Sequence, residues 1–244
     1  MRKRICIIPA RGGSKRLPDK NIRDFCGQPI LGYGLQAARA SGLFEVIHVS
    51  TDSPRIAEVA TRFGCPPDFY RDEALSDDHT PLMPVLKHVL EQYIRRGIQF
   101  DSVCLLFATA PLVASNDLVE ACRLFDELYH TGRTVMSVAP YPVPVEWAFT
   151  RREDGILDPV QPGKFAVRSQ DLPICYYDTG SFSFIHSRFI LENTGAGSDT
   201  NYIGYPLPRW KAVDIDDAET WEQAEWIFRA MQSLPQKEDC QNRG

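Results

Sequence analysis

Hydrophobic and polar positions follow two alternating periods along the first 140 residues. Short apolar runs at Arg4–Ile8, Val46–Ser50, Val103–Phe107 and Val135–Val138 predict strands buried on both faces. Segments of helical spacing lie between them. Ile30–Ser41 closes on Gly42. Pro54–Phe63 has Ser53 as N-cap, Pro54 at its first position and Gly64 beyond its end. Leu82–Tyr93 is amphipathic, and a helix opening at Ser115 sets Leu118, Ala121, Cys122 and Phe125 on one face. This alternation predicts an α/β fold, a single Rossmann-like domain with a mostly parallel sheet flanked by helices.

The pattern breaks after Ala139. Residues 140 to 180 are rich in proline, aromatics and charge, and read as an excursion, a lid or a dimerisation arm. Sheet-like segments return at Gly180–Ile185 and Ala212–Ile215, and a last amphipathic helix spans Ala218–Met231. The expected domain is 1–232, with a polar, fraying tail at 233–244.

Composition narrows the class. With 43% hydrophobic and 24% charged residues, the 244-residue chain reads as an ordinary globular domain. A net charge of -5 argues against a nucleic-acid partner, which favours a basic footprint. The apolar run after Met1–Arg4 stops at Pro9, too short for a leader, and no run approaches the roughly 18 apolar residues of a membrane span. A cytoplasmic location is expected. The seven cysteines show no zinc spacing and no C-x-x-C pair, and read as reduced structural thiols.

Against that acidic background one loop is basic. Arg11, Lys15, Arg16 and Lys20 follow directly on the first strand, around Gly12 and Gly13. Ala10, Ser14 and the glycines offer backbone close to a ligand, Arg11 a bidentate donor, and Lys15 and Lys20 point charges. Cations and exposed N–H groups at a strand's carboxyl end suit a polyphosphate. The loop has neither the P-loop spacing nor G-x-G-x-x-G.

A second feature is Val213-Asp214-Ile215-Asp216. On an extended strand Asp214 and Asp216 would point the same way, and Mg²⁺ would relieve their repulsion. The competing reading makes Asp216 the cap of the last helix, with Glu219 in capping-box register. Asp52 reads as a turn residue before Ser53 and Pro54, ahead of the alternative that it lines the nucleotide cleft, and spacing does not settle whether Arg71 pairs with neighbouring acids. Arg168-Ser169-Gln170-Asp171 and Tyr176-Tyr177-Asp178-Thr179-Gly180 combine polar groups with aromatic walls, as sugar sites do.

The segment IPARGGSKRLPDKNI resembles the signature of the CMP-sialic acid synthetase family, the cytidylyltransferases that activate nine-carbon acidic sugars. The likeness continues through Val49–Asp52, Arg71 with Leu75–Asp78, Ala108–Leu112 and Asp214–Asp216. Within that family the chain leans toward the pseudaminate branch: Phe107-Ala108-Thr109-Ala110-Pro111 resembles its Y-A-T-A-P run, and Arg168–Leu172 and Asp178–Gly180 resemble its R-S-Q-D-L and D-A-G. Sialate enzymes carry a sugar-binding glutamine where Phe107 stands. Thr179 departs from the usual residue before the glycine. Thr80 is expected to replace the serine that sialate enzymes place near the cytosine, at Leu82 on ungapped counting.

The resemblance implies a nucleotidyltransferase domain with a mixed sheet, working as a homodimer through an arm at about 140–178. It implies transfer from CTP to a nonulosonic acid with Mg²⁺. Arg11, Lys15 and Lys20 would hold the triphosphate, Asn21 and Arg71 would face the cytidine, and Asp214 and Asp216 would hold the metal. Phe107, Gln170 and Asp178 would meet the sugar. The alternatives are legionaminate, neuraminate or 3-deoxy-octulosonate as substrate, or a non-catalytic nucleotide-binding protein on the same fold.

Overall fold

The computed structural model describes residues 2–14, 16–77, 80–193, 195 and 199–233. Lys15 and the tail from 234 onward lie outside the described residues. The elements run β1 (Arg4–Pro9), β2 (Asp24–Phe25), β3 (Gln28–Pro29), α1 (Ile30–Ser41), β4 (Val46–Ser50), α2 (Pro54–Arg62), α3 (Leu82–Arg95), β5 (Ser102–Leu106), α4 (Ser115–Glu127) and β6 (Thr134–Pro140). Then come β7 (Phe149–Arg151), β8 (Leu157–Pro159), β9 (Tyr176–His186), α5 (Ser187–Glu192), β10 (Tyr202–Pro206) and α6 (Ala218–Ser233).

Six strands form the central sheet in the order β10-β6-β9-β5-β1-β4. Every pairing is parallel except those of β9, which runs antiparallel to both neighbours. The fold is the expected α/β layer structure with a mostly parallel, mixed sheet. Strand periodicity divides the core: Cys6 and Ile8 face a cluster with α1, α2 and α4, while Ile5 and Ile7 face one with α3 and α5. A third cluster joins Leu17 and Phe25 near the start of the chain to Ile215, Trp221 and Ala224 near its end.

Three elements differ from expectation. Ala212–Ile215 is not a strand; the sixth strand is Tyr202–Pro206, at the sheet edge. Its glycine and proline disguise it, yet a Cβ on Gly204 would lie 2.9 Å from the Val138 side chain, so close packing excludes a larger residue there. The strand after the excursion begins at Tyr176, so the end of the expected arm belongs to the central sheet. The rest of the arm holds the small β7–β8 hairpin and short 3-10 turns. The described cysteines are all free, as expected.

His48 lies buried on β4, stacked on Phe69 with its Nδ1 3.3 Å from the Tyr93 hydroxyl. Burial lowers its pKa from 6.5 to about 4. Below pH 6.5 the unfolded chain therefore binds more protons than the folded one, and stability falls as pH drops, levelling off below about 4. We expect unfolding midpoints to decline across this window. His48→Phe should remove the larger part of the slope, leaving that of His186, which burial also lowers. An unchanged slope in thermal denaturation of the variant would contradict this account.

Candidate active site

The site forms where β1 and β4 end. The ladder continues one residue past β1, Ala10 donating its N–H to the Ser50 carbonyl at 2.9 Å. Gly12 then donates its N–H to Asp52 Oδ1 at 2.9 Å. A Cβ on Gly12 would sit 3.1 Å from that of Ser53, so glycine is needed here for close approach, without a left-handed backbone. A Cβ on Gly13 would meet nothing within 4 Å, which leaves open space beside the loop. Asn21 is buried and donates Nδ2–H to the Arg11 carbonyl at 2.9 Å, holding the loop from its far side.

The decisive contact spans the chain. Lys20 Nζ donates to the Ile215 carbonyl at 2.9 Å and lies 3.2 Å from Asp216 Oδ1. Arg16 binds the other Asp216 oxygen at 2.9 Å. The basic loop and the aspartate segment thus meet at one cavity of about 500 Å³. Arg11, Ser14, Arg16, Lys20, Asn21 and Asp216 line it together with Arg71, Asp77, Thr80, Leu82, Val85 and Phe107.

Arg71 does not bond the acids next to it. Its Nε donates to Ser50 Oγ at 3.1 Å and its NH2 to the Ser50 carbonyl at 2.6 Å. Burial lowers its pKa to about 10, with nearby Asp52 acting in the opposite sense. Thr80 donates its hydroxyl to Asp77 Oδ1 at 2.7 Å and faces the cavity.

The two late aspartates occupy irregular chain rather than a strand. Asp216 does not cap the last helix. Asp217 does: it accepts the Thr220 N–H at 2.9 Å, while Thr220 Oγ1 accepts the N–H of Asp217 at 3.1 Å and of Asp216 at 3.0 Å. The carboxylate of Asp216 is left to the cavity. Asp214 is exposed as a residue, and its pKa is raised first by partial desolvation of the carboxylate and then by Asp216, against the pull of Lys20 and Arg16. Its carboxylate would lie 3.6 Å from a Cβ at Gly180, a residue with φ +60°. Asp178 accepts the Gly180 N–H at 2.9 Å and adds a further negative charge near Asp214.

Among the described residues, no three His, Cys, Asp or Glu side chains are grouped so as to hold a metal by themselves. Asp216 lines the cavity and Asp214 does not; a carboxylate there, with a second two residues away, nevertheless suits Mg²⁺, which takes the rest of its oxygens from water and a phosphorylated ligand. Of the expected sugar contacts Phe107 lines the cavity, and Asp178, Thr179 and Gln170 do not. Thr179 is buried in the sheet, its hydroxyl 2.7 Å from Ser137 Oγ. Gln170 is exposed on a 3-10 turn of the arm, away from the cavity wall. Asp52, read from the sequence as a turn residue, and Arg16, read only as one of the loop's cations, both make specific contacts here. The signal for Asp52 lay in its place just beyond the strand that pairs with β1.

Residues 5–140 match the cytidylyltransferase family. The chain is also 35% identical to a pseudaminic acid cytidylyltransferase of Campylobacter jejuni, over 93% of this chain and 97% of that protein. The chain belongs to the cytidylyltransferase family. A CMP-N,N'-diacetyllegionaminic acid synthase of Legionella pneumophila is 31% identical over 93% of this chain and 97% of its own length. Among solved structures, a CMP:2-keto-3-deoxy-manno-octonic acid synthetase complexed with CTP superposes with a TM-score of 0.68 at 15% identity, covering 94% of this chain and 99% of that one. This last likeness concerns the fold. The cavity is therefore the candidate active site of a nucleotidyltransferase.

Asp52 should govern the shape of the basic loop in this cytidylyltransferase. Asp52→Ala leaves the Gly12 N–H without its charged acceptor, an interaction of about 1.5–3 kcal/mol in the general case. Calorimetric titration with inorganic triphosphate should show affinity reduced about tenfold, each factor of ten being about 1.4 kcal/mol. Affinity equal to that of the parent would show that the loop holds its shape without this bond.

Proposed function

We propose that this enzyme transfers the cytidylyl group of CTP to a nonulosonic acid, pseudaminate in the first instance, and releases pyrophosphate. The single observation that carries this reading is the meeting of Lys20 with Asp216 at the mouth of one cavity. It sets cations for a triphosphate beside carboxylates for a metal. The sugar's anomeric oxygen bonds to the α-phosphorus as the bond to pyrophosphate breaks, and the hydroxyl proton leaves to solvent. Such transfer depends on positioning and charge neutralisation.

Arg11 and Lys20 would bind the triphosphate and stabilise the departing pyrophosphate, together with Lys15. Arg71 and Asn21 would support the cytidine end, with Thr80 in the same cavity. Asp214 and Asp216 would hold Mg²⁺, whose chemistry is to neutralise phosphate charge and acidify a bound hydroxyl. Phe107 favours a less polar sugar, since it offers no hydrogen bond to a hydroxyl group. The similarity to a legionaminate enzyme makes that sugar the second reading.

The arm exposes Phe149, Ile156, Leu157, Val160 and Phe165. That apolar surface supports a homodimer in which a second copy covers the arm. Gln170 would then reach a sugar across the interface. No helix among the described residues is long and apolar enough to cross a membrane, and use of CTP fits a cytoplasmic enzyme.

Pyrophosphate release from CTP and Mg²⁺, measured with pseudaminate, legionaminate, neuraminate and 3-deoxy-octulosonate, tests the reading. Pseudaminate should give the highest kcat/KM, and silence across the whole panel would overturn it. Asp214→Asn should lower kcat about a hundredfold or more, as loss of a key electrostatic group does, with the unfolding midpoint retained. Lys20→Ala should raise KM for CTP more than KM for the sugar; the reverse order would misplace the triphosphate.

A further inference from the structure

The segment bearing Asp214 and Asp216 belongs to no helix or strand. No backbone ladder sets its path, so side chains must hold it. Downstream it is fixed well: Ile215 is fully buried, and Thr220 accepts the Asp216 N–H. Upstream the fixing point is Lys211, at the end of the 3-10 turn Arg209–Lys211.

Lys211 Nζ lies 2.5 Å from Asp117 Oδ2, and each side chain is only 11% exposed. The same Oδ2 accepts the Ala114 N–H at 2.8 Å, so the carboxylate is locked to the first turn of α4. Arg209 supports the turn by donating to the Tyr141 carbonyl at 3.0 Å. An ion pair largely withdrawn from water adds little net stability, because desolvation offsets the attraction. What it does supply is a single preferred arrangement of its partners. Asp214 follows Lys211 by three positions, and an extended chain spans at most about 3.6 Å per residue, so little slack separates them.

We infer that Lys211 is a positioning residue: its pair with Asp117 sets where Asp214 and Asp216 stand against the basic loop. This rests on the reading of those aspartates as metal-holding groups. Neither Lys211 nor Asp117 lines the cavity, so both act through the segment rather than on substrate. The pair also links α4, which follows β5, to the chain that leads into α6.

The test uses Lys211→Met, which keeps an apolar stem of similar length, and Asp117→Asn, which keeps an acceptor for the Ala114 N–H. Mn²⁺ affinity in the presence of CTP is read by electron paramagnetic resonance, beside kcat, KM for CTP and the unfolding midpoint. A displacement of about 1 Å costs about a hundredfold in rate, and loss of an outer support costs about tenfold or more in metal affinity. Both variants should show these losses, with KM for CTP within about twofold of the parent because the basic loop is untouched. Lys211→Arg should recover most of the rate.

Folded variants with kcat and Mn²⁺ affinity within about twofold of the parent would overturn the inference, even if their unfolding midpoints fall. If Lys211→Met does not fold, Asp117→Asn decides by the same thresholds. A parent that binds Mn²⁺ with CTP but turns over no sugar would overturn the proposed reaction, and the Mn²⁺ comparison would then decide the positioning role. A parent that binds no Mn²⁺ with CTP would overturn the positioning role as well.

Discussion

The structure turns on one ammonium group. Lys20 reaches across the fold to the Ile215 carbonyl and the Asp216 carboxylate, residues almost a whole chain length away. Beneath that contact, Leu17, Phe25 and Ile30 pack on Ile215 and Trp221 in a cluster of their own. Apolar burial brings the two segments together, and the polar contacts above it fix their register. Without this junction the basic loop would be a solvated turn and the aspartates an exposed linker.

The loop itself is shaped by acceptors more than by its own residues. Asp52 holds Gly12, and Asn21 holds the Arg11 carbonyl. Arg71 spends its guanidinium on Ser50, the residue that also accepts the Ala10 N–H. Each of these ties costs the loop a degree of freedom before any ligand arrives. A preorganised anion site binds more tightly because ordering is not deferred to the binding step.

Much of this was legible in the residues. The periodicity located five of the six central strands and five of the helices to within a few positions, because buried runs and caps leave local marks. The basic loop was visible as charge out of keeping with its surroundings. What escaped notice depended on distant partners. Tyr202–Pro206 looks like a turn until Val138 is seen to require a glycine opposite it. Asp217 rather than Asp216 caps α6, a choice between neighbours decided by which carboxylate accepts the Thr220 N–H. Thr179 sits among polar residues in the sequence, yet its hydroxyl is satisfied by Ser137 inside the sheet. Lys211 carried no mark at all, since its partner stands 94 residues away.

Strand β9 runs against both of its neighbours. In a parallel sheet, strands deliver their ends to the ligand edge; this one delivers its beginning. The hairpin arm that precedes β9 is therefore hung at the rim of the cleft, while the strand itself is held by β5 and β6 on either side, with one register shift against β6. Insertions or deletions in the arm would alter the reach of the rim and leave the sheet beneath in place. Substrate range in a protein built this way can drift through changes of loop length, with the catalytic floor left untouched.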